Sequence, residues 1–547
     1  DIWGHLLTVG LLLFMSFALG FIYEGFAPPA IAYSVAQVTL LAVLARRYWG
    51  TVKPSSLYLA GWGVELLVAQ ALTWQAPTLL ALALPTLGLG AIAVVIATRL
   101  PQAQAALQRP LCHLTLAYTV LALCLRSATW TAWTGGLVIG AALLLLVTSR
   151  QIQLPQLRWL ALLGLSAGSY ELVLYQLSQA SGGNPVDGVI VLAGVSVVIM
   201  AAYQQLAVRF ERYLPFSETE SHWAAHAHWL IGSLLMLRVV IGLSVSTMPS
   251  TLAGVGLLIA AILIGYALHQ GRRDTKAELK AAWIYLGLTE LIGWFVLLRL
   301  TVPALQILDN WWGMVACIVA VPIYSAPQME PRWPPRPWRV MAIAVPLATV
   351  IFTAATAHIP TLWILAGFYG WLAWRQRQVR LSYLSVSCII WAIWAWLDQF
   401  NVQDAVIAVL PVGLALLYGV QVDPFIRQPE QKNARHWLRL IATRLTLLTA
   451  LVTDGWTGLP VGIMALGAIA AGLVLRIRAF LYVGTVVFVV NAVNQLVLLN
   501  PTYPFMKWIV GILVGTVLIW IAADFERRRE QWVAFAQTWL QNLSTWE

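Results

Sequence analysis

The sequence predicts an all-α, polytopic integral membrane protein of about 20 transmembrane helices. Three observations carry that prediction. The 547 residues are 60% hydrophobic and only 10% charged, with a mean hydropathy of +0.78; soluble domains carry roughly 25% charged residues. Apolar runs of about 18 residues or more recur from end to end, the length at which a helix spans a bilayer. The runs are continuously apolar and do not alternate, which selects helices over a transmembrane barrel.

Taken in order, the runs fall near residues 6–23 and 30–45; then 55–74, 78–97, 111–126 and 129–148; then 158–178, 186–208, 223–242 and 250–268. They continue at 281–299, 303–322, 338–357 and 361–374, then 381–398, 404–420, 436–453 and 458–475, and end at 479–499 and 505–524. Two kinds of connection alternate between them. One is tight and nearly free of positive charge, as at Glu24–Pro29, Ser178–Asp187 and Asp398–Asp404. The other is longer and basic, as at Arg46–Lys53, Arg99–Arg109, Arg272–Lys280 and Arg427–Arg439. Of the 33 Lys and Arg residues, 28 fall in the second kind; Arg126, Arg238, Arg299, Arg444 and Lys507 are the rest. Basic residues in short loops stay on the cytoplasmic side, so both termini are expected there. The net charge of +11 is then topological, and nucleic acid is not an expected partner.

The spans also repeat at a longer period. Every second basic loop is followed by a similar segment: SSLYLAGWGVELLVAQ from Ser55, RWLALLGLSAGSYELVLYQL from Arg158, KAAWIYLGLTELIGWFVLL from Lys280, RLSYLSVSCIIWAIWAWL from Arg380 and RAFLYVGTVVFVVNAVNQLVLL from Arg478. Each begins basic or polar, gains an aromatic and runs on through small residues. The predicted organisation is a partial repeat of two spans over 1–54, four-span repeats over 55–157, 158–280, 281–379 and 380–478, and a partial repeat over 479–524. Four spans per unit keep successive units in one orientation, so these are parallel repeats, unlike the inverted repeats of many transporters. The chain opens on Asp1 in mid-unit, which leads to the expectation that sequence precedes it. Residues 525–547 carry Trp532, Phe535, Trp539, Leu540 and Leu543 at helical spacing. They are expected to form a cytoplasmic amphipathic helix along the interface.

The residues that could carry chemistry are few. Glu65, Glu171 and Glu290 lie inside spans, seven residues after Tyr58, Gly164 and Trp283; Ile390 and Val489 hold that place in the last two copies. An acid at bilayer depth costs a few kcal/mol unless paired, protonated or wet. Together with the intramembrane Arg126, Arg238 and Arg444, these acids are the candidate polar site. Their recurrence in three units favours structural bonding between helices over a single transport site. His222, His226 and His228 form HxxxHxH in SHWAAHAHW. His222 and His226 share a helix face, which makes the three the candidate ligands for a metal or for the tetrapyrrole of haem or chlorophyll. No acid or Cys completes that site locally, so no cofactor is expected. The four cysteines form no CxxC pair, and the 28 tryptophans gather near span ends as an aromatic belt. No phosphate-binding loop, dinucleotide fingerprint, HExxH or GxSxG occurs, and the outward loops are too short to build an active site.

The basic–aromatic starts, the small-residue spans and the closing FERRREQW from Phe525 to Trp532 resemble large bacterial multi-pass membrane proteins of the DUF2157-like kind, known from cyanobacteria and actinobacteria. That resemblance implies a bacterial plasma or thylakoid membrane and brings no activity with it. In architecture alone, parallel four-helix units also resemble the blades of Piezo mechanosensitive channels. The expected function is a non-enzymatic scaffold or accessory subunit, with membrane lipids and other membrane subunits as partners. A transporter or lipid flippase using the intramembrane Glu and Arg residues is the alternative, and a pigment- or haem-binding subunit the third reading.

Overall fold

A computed structural model describes residues 2–49, 52–74, 78–101, 105–209, 217–245, 250–354, 358–453, 458–502 and 505–528, with 531, 534, 537, 538 and 541 in the tail. Among the described residues the chain is all-helical, with twenty α-helices and no strand. It divides into two units, Asp1–Pro303 and Ala304–Glu547. The division falls within the stretch 281–379 that the sequence pattern groups together.

The first unit holds α1 (Ile2–Tyr23), α2 (Ile31–Arg47), α3 (Pro54–Leu72), α4 (Leu79–Arg99), α5 (Ala105–Arg126) and α6 (Thr134–Ile152). It continues with α7 (Pro155–Gln179), α8 (Pro185–Arg209), α9 (Glu218–Val245), α10 (Ala253–Arg273) and α11 (Ala277–Thr301). The second unit holds α12 (Trp312–Met329), α13 (Pro335–Phe352), α14 (Ile359–Gln376), α15 (Val379–Gln399) and α16 (Ala405–Val422). After these come α17 (Lys432–Val452), α18 (Leu459–Leu475), α19 (Arg478–Thr502) and α20 (Met506–Arg527). Proline opens α3, α7, α8 and α13, where its missing N–H costs nothing and its fixed φ suits the helix. Asp404 caps α16, its Oδ1 accepting from the N–H of Val406 at 2.8 Å and of Ile407 at 3.1 Å.

Twelve of the helices are long and apolar enough to cross a membrane: α1, α4, α6 to α12, α15, α16 and α19, with Pro303–Trp311 extending α12. The chain is therefore a polytopic helical membrane protein. The other helices are shorter or more polar than the spans expected at their positions. For example, α18 has 17 residues, and α17 carries Arg435, Arg439 and Arg444. Several basic loops are also shorter than expected. Helix α5 begins at Ala105 and α17 at Lys432, so Arg109, Arg435 and Arg439 are helical. Arg435 is buried, and its Nη1 donates to the carbonyls of Ile426, Arg427 and Gln428 at 3.3, 2.7 and 3.1 Å, which ties the start of α17 to the turns before it.

Within each unit, the substantial helix–helix contacts join helices one or two apart in sequence. The closest-packed neighbours are the pairs joined through basic loops: α4 with α5, α6 with α7, α8 with α9, α10 with α11, α14 with α15 and α18 with α19. Pairs joined through the tight, uncharged turns touch far less. Glycine permits the close pairs. A Cβ on Gly135 of α6 would lie 2.6 Å from the carbonyl oxygen of Gly168 on α7, and one on Gly168 equally near that of Gly135. Small residues let membrane helices approach in this way. Three of the basic turns end their helix on a left-handed residue that is not glycine: Gln153 after α6, Arg377 after α14 and Arg476 after α18, with φ of 58°, 51° and 56°. The apolar core is correspondingly a series of local clusters, one centred on α1 to α3, one on α4 to α6 and a larger one on α7 to α11 in the first unit. In the tail, Trp532, Phe535, Trp539, Leu540 and Leu543 lie outside the described residues.

Candidate functional site

The three acids are all in the first unit, and each meets a different partner. Glu65, in the middle of α3, is buried, and its Oε1 lies 2.6 Å from Thr86 Oγ1 on α4. Thr86 Oγ1 also lies 2.8 Å from the Leu82 carbonyl one turn back. A hydroxyl has one proton. The Thr86 hydroxyl is thus shared between the Glu65 carboxyl and the Leu82 carbonyl. The arrangement recurs between α11 and α9. Glu290 Oε1 bonds Ser233 Oγ, which lies 2.9 Å from the Trp229 carbonyl one turn back. The second carboxyl oxygen of each, Glu65 Oε2 and Glu290 Oε2, is buried with no hydrogen-bond partner among the described residues, a position where a full charge would cost several kcal/mol.

Glu171 differs. Arg126, the last residue of α5, sends Nη1 to both carboxylate oxygens, at 2.6 and 2.7 Å, and to the carbonyl of Thr134 at 3.1 Å. The two side chains are 22% and 18% exposed. Thr134 opens α6, so this ion pair ties the end of α5, the start of α6 and the later part of α7 together.

The remaining arginines of the candidate set do not join these acids. Arg238 on α9 and Arg444 on α17 are exposed, and neither pairs with an acid among the described residues. The six residues thus resolve into one ion pair, two acid–hydroxyl bonds and two outward-facing arginines.

The histidines also separate. His222 Nε2 lies 3.3 Å from Glu218 Oε1, and His226 Nδ1 lies 2.8 Å from the Tyr266 hydroxyl on α10. Their rings stack with centroids 6.4 Å apart. His228, two residues on, points to the opposite side of α9 into a pocket between α7 and α8. There Nε2 lies 2.9 Å from Ser166 Oγ and Nδ1 lies 2.9 Å from the Tyr170 hydroxyl. Both ring nitrogens are taken, so His228 does not fit a metal or tetrapyrrole. No group of three His, Cys, Asp or Glu side chains suited to a metal occurs among the described residues.

Two polar groupings carry no obvious sequence motif. The His228 pocket extends into a hydrogen-bonded chain: Tyr203 to Ser166 at 2.9 Å, and Tyr170 to Ser196 at 2.8 Å. The signal for it is Ser166 and Tyr170, four apart on one face of an apolar helix. In the second unit Asn491 of α19 is buried and clasps Gly458 at the head of α18: its Nδ2 donates to the Gly458 carbonyl at 2.8 Å and its Oδ1 accepts the Gly458 N–H at 3.1 Å.

No family model, curated protein or solved structure matches the chain.

Proposed function

We propose that the chain is a non-enzymatic membrane scaffold or accessory subunit, a parallel array of four-helix units with about 20 spans and cytoplasmic termini. One observation carries this reading: Glu65, Glu171 and Glu290 are each bonded within a different helix seam and converge on no common path. Acids spent in this way hold helices together. The contact pattern supports the array, since stacked repeats touch mainly their neighbours. The left-handed caps after α6, α14 and α18 support a four-helix period, because they fall at the same step of that period. Membrane lipids and other membrane subunits are the proposed partners.

The test is isolation of the tagged chain after mild solubilisation. Defined membrane subunits co-isolating with it, equally with Glu290→Gln, support the scaffold. A lone protomer that moves protons or lipids in proteoliposomes, and stops doing so with Glu290→Gln, overturns it. Orientation is tested by single cysteines in a cysteine-free background. One at Gly182 should react with an impermeant maleimide from outside intact cells, and one at Arg272 only after permeabilisation.

Transport is the second reading, and the buried chain Tyr203–Ser166–His228–Tyr170–Ser196 favours it, since such chains suit proton relay. Loss of proton flux in a His228→Phe variant would support it. A pigment role is tested by the visible absorption of the purified protein.

A further inference from the structure

A recess of about 510 Å³ opens at the turn between α14 and α15 and the end of α16. Arg377, Gln378, Arg380, Asp423, Phe425 and Gln428 line it. The Arg377 side chain is exposed and has no hydrogen-bond or ion-pair partner among the described residues. The Arg380 side chain is 73% exposed, with its Nε 3.9 Å from Asp423 Oδ2. Asp423 itself is buried and each of its oxygens is bonded: Oδ2 accepts from the Tyr383 hydroxyl at 2.7 Å and Oδ1 from the Phe425 N–H at 2.8 Å. Those bonds, the Tyr383 hydroxyl first, hold its carboxyl below the usual carboxylate range. Asp423 therefore aims Arg380 without closing the recess. No side chain caps the first turn of α15, whose N–H groups add positive potential at the same place.

A second cavity of about 470 Å³ lies between α15 and α16 and is almost wholly apolar, lined by Val386, Ile390, Ile393, Ile407, Leu410 and Leu414 among others. It exists because α15 packs closely on α14 and only loosely on α16. At 1.5 Å per residue, Val386 lies roughly 10 Å along α15 from Val379. Tyr418 also lines this groove, and its hydroxyl bonds Ser382 Oγ at 2.8 Å, bridging the two helices between recess and groove.

We propose that recess and groove together bind an anionic glycerophospholipid. Arg377 and Arg380 hold its phosphate, the Tyr418–Ser382 bridge lies at the glycerol, and one acyl chain fills the groove between α15 and α16. Charge decides the occupant. A neutral lipid or an apolar partner helix would fill the groove but leave Arg377 without a counter-charge and Arg380 with only its 3.9 Å contact to Asp423, whereas basic pockets at the basic-loop side suit anionic headgroups. The proposal rests on the reading that α15 and α16 cross the bilayer; it does not depend on the scaffold role.

The experiment is lipid titration of the purified full chain in detergent, read by native mass spectrometry. Phosphatidylglycerol is compared with phosphatidylcholine of identical chains. The wild type should retain phosphatidylglycerol about tenfold better. The double variant Arg377→Gln/Arg380→Gln should bring the two to parity with its thermal unfolding unchanged. Leu414→Trp, which fills the groove, should weaken both. Equal retention of the two lipids by the wild type, or a preference untouched by the double variant, overturns the site. Glycerol phosphate competing as well as the whole lipid overturns it in favour of a soluble phosphate site. A chain that stays dispersed without detergent and retains neither lipid would instead sink the membrane reading.

Discussion

The seam between α3 and α4 holds Glu65 against a hydroxyl; at the junction of α5, α6 and α7, Glu171 lies against a guanidinium. Both acids stand at the same step of the repeating sequence pattern. Glu65 is in mid-helix and 6% exposed, and its carboxyl accepts from the Thr86 hydroxyl. Glu171 faces the mouth of a hairpin, where Arg126 ends one helix and Thr134 starts the next, and its side chain is 18% exposed. The ion pair lies where helix ends and partial exposure lower its desolvation cost, and the more buried Glu65 meets a neutral hydroxyl instead. One residue type in one register serves two kinds of bond, and the side chain that the neighbouring helix places opposite it decides which.

The largest effect should come from breaking the ion pair. Arg126→Met leaves the Glu171 carboxylate without its partner and should cost about 3 kcal/mol, read as unfolding in mixed detergent micelles. Adding Glu171→Gln should recover most of it; no recovery would mean that Arg126 acts mainly through Thr134. Next is the amide clasp of the second unit. Asn491→Leu strands the N–H of Gly458 and leaves its carbonyl only the Gly462 N–H, and should cost about 1–2 kcal/mol in the same assay. Glu65→Gln keeps an acceptor beside Thr86 and should cost under about 1 kcal/mol. A loss as large as that of Arg126→Met would erase the distinction between the two seams. The smallest effect concerns pH. The Asp423 carboxyl is held below its ordinary value, chiefly by Tyr383. Its contribution is therefore full above the ordinary carboxylate value and is lost as pH falls through the depressed one. Tyr383→Phe should lower neutral-pH stability by a few tenths of a kcal/mol and leave the value in acid unchanged, which flattens that limb.

Much of the helical order was legible because apolar run length and Lys/Arg placement are one-dimensional signals. The run boundaries at 55–74, 158–178 and 381–398 lie close to α3, α7 and α15. The site was legible only in part. That Glu65, Glu171 and Glu290 need partners follows from burial. Which partners they find does not, because Thr86, Arg126 and Ser233 lie on helices one or two away and are selected by packing. His228 shows the same limit: its spacing suggested a ligand, while Ser166 and Tyr170 on α7 take both its nitrogens. Arg377 and Arg380 looked like ordinary topological charge. Their recess arises from the loose contact of α15 with α16, which no residue pattern encodes by itself.

Within each unit, the described helices pack substantially only on helices one or two away, and this has a consequence for how the chain is made. No segment within a unit must wait for a distant partner, so each pair closed through a basic loop can dock soon after it leaves the ribosome and enters the bilayer. Contacts of short sequence separation carry a small loop-closure cost. Growth of the array is then a sequence of local steps, and the first unit should reach its native packing while the second is still being translated.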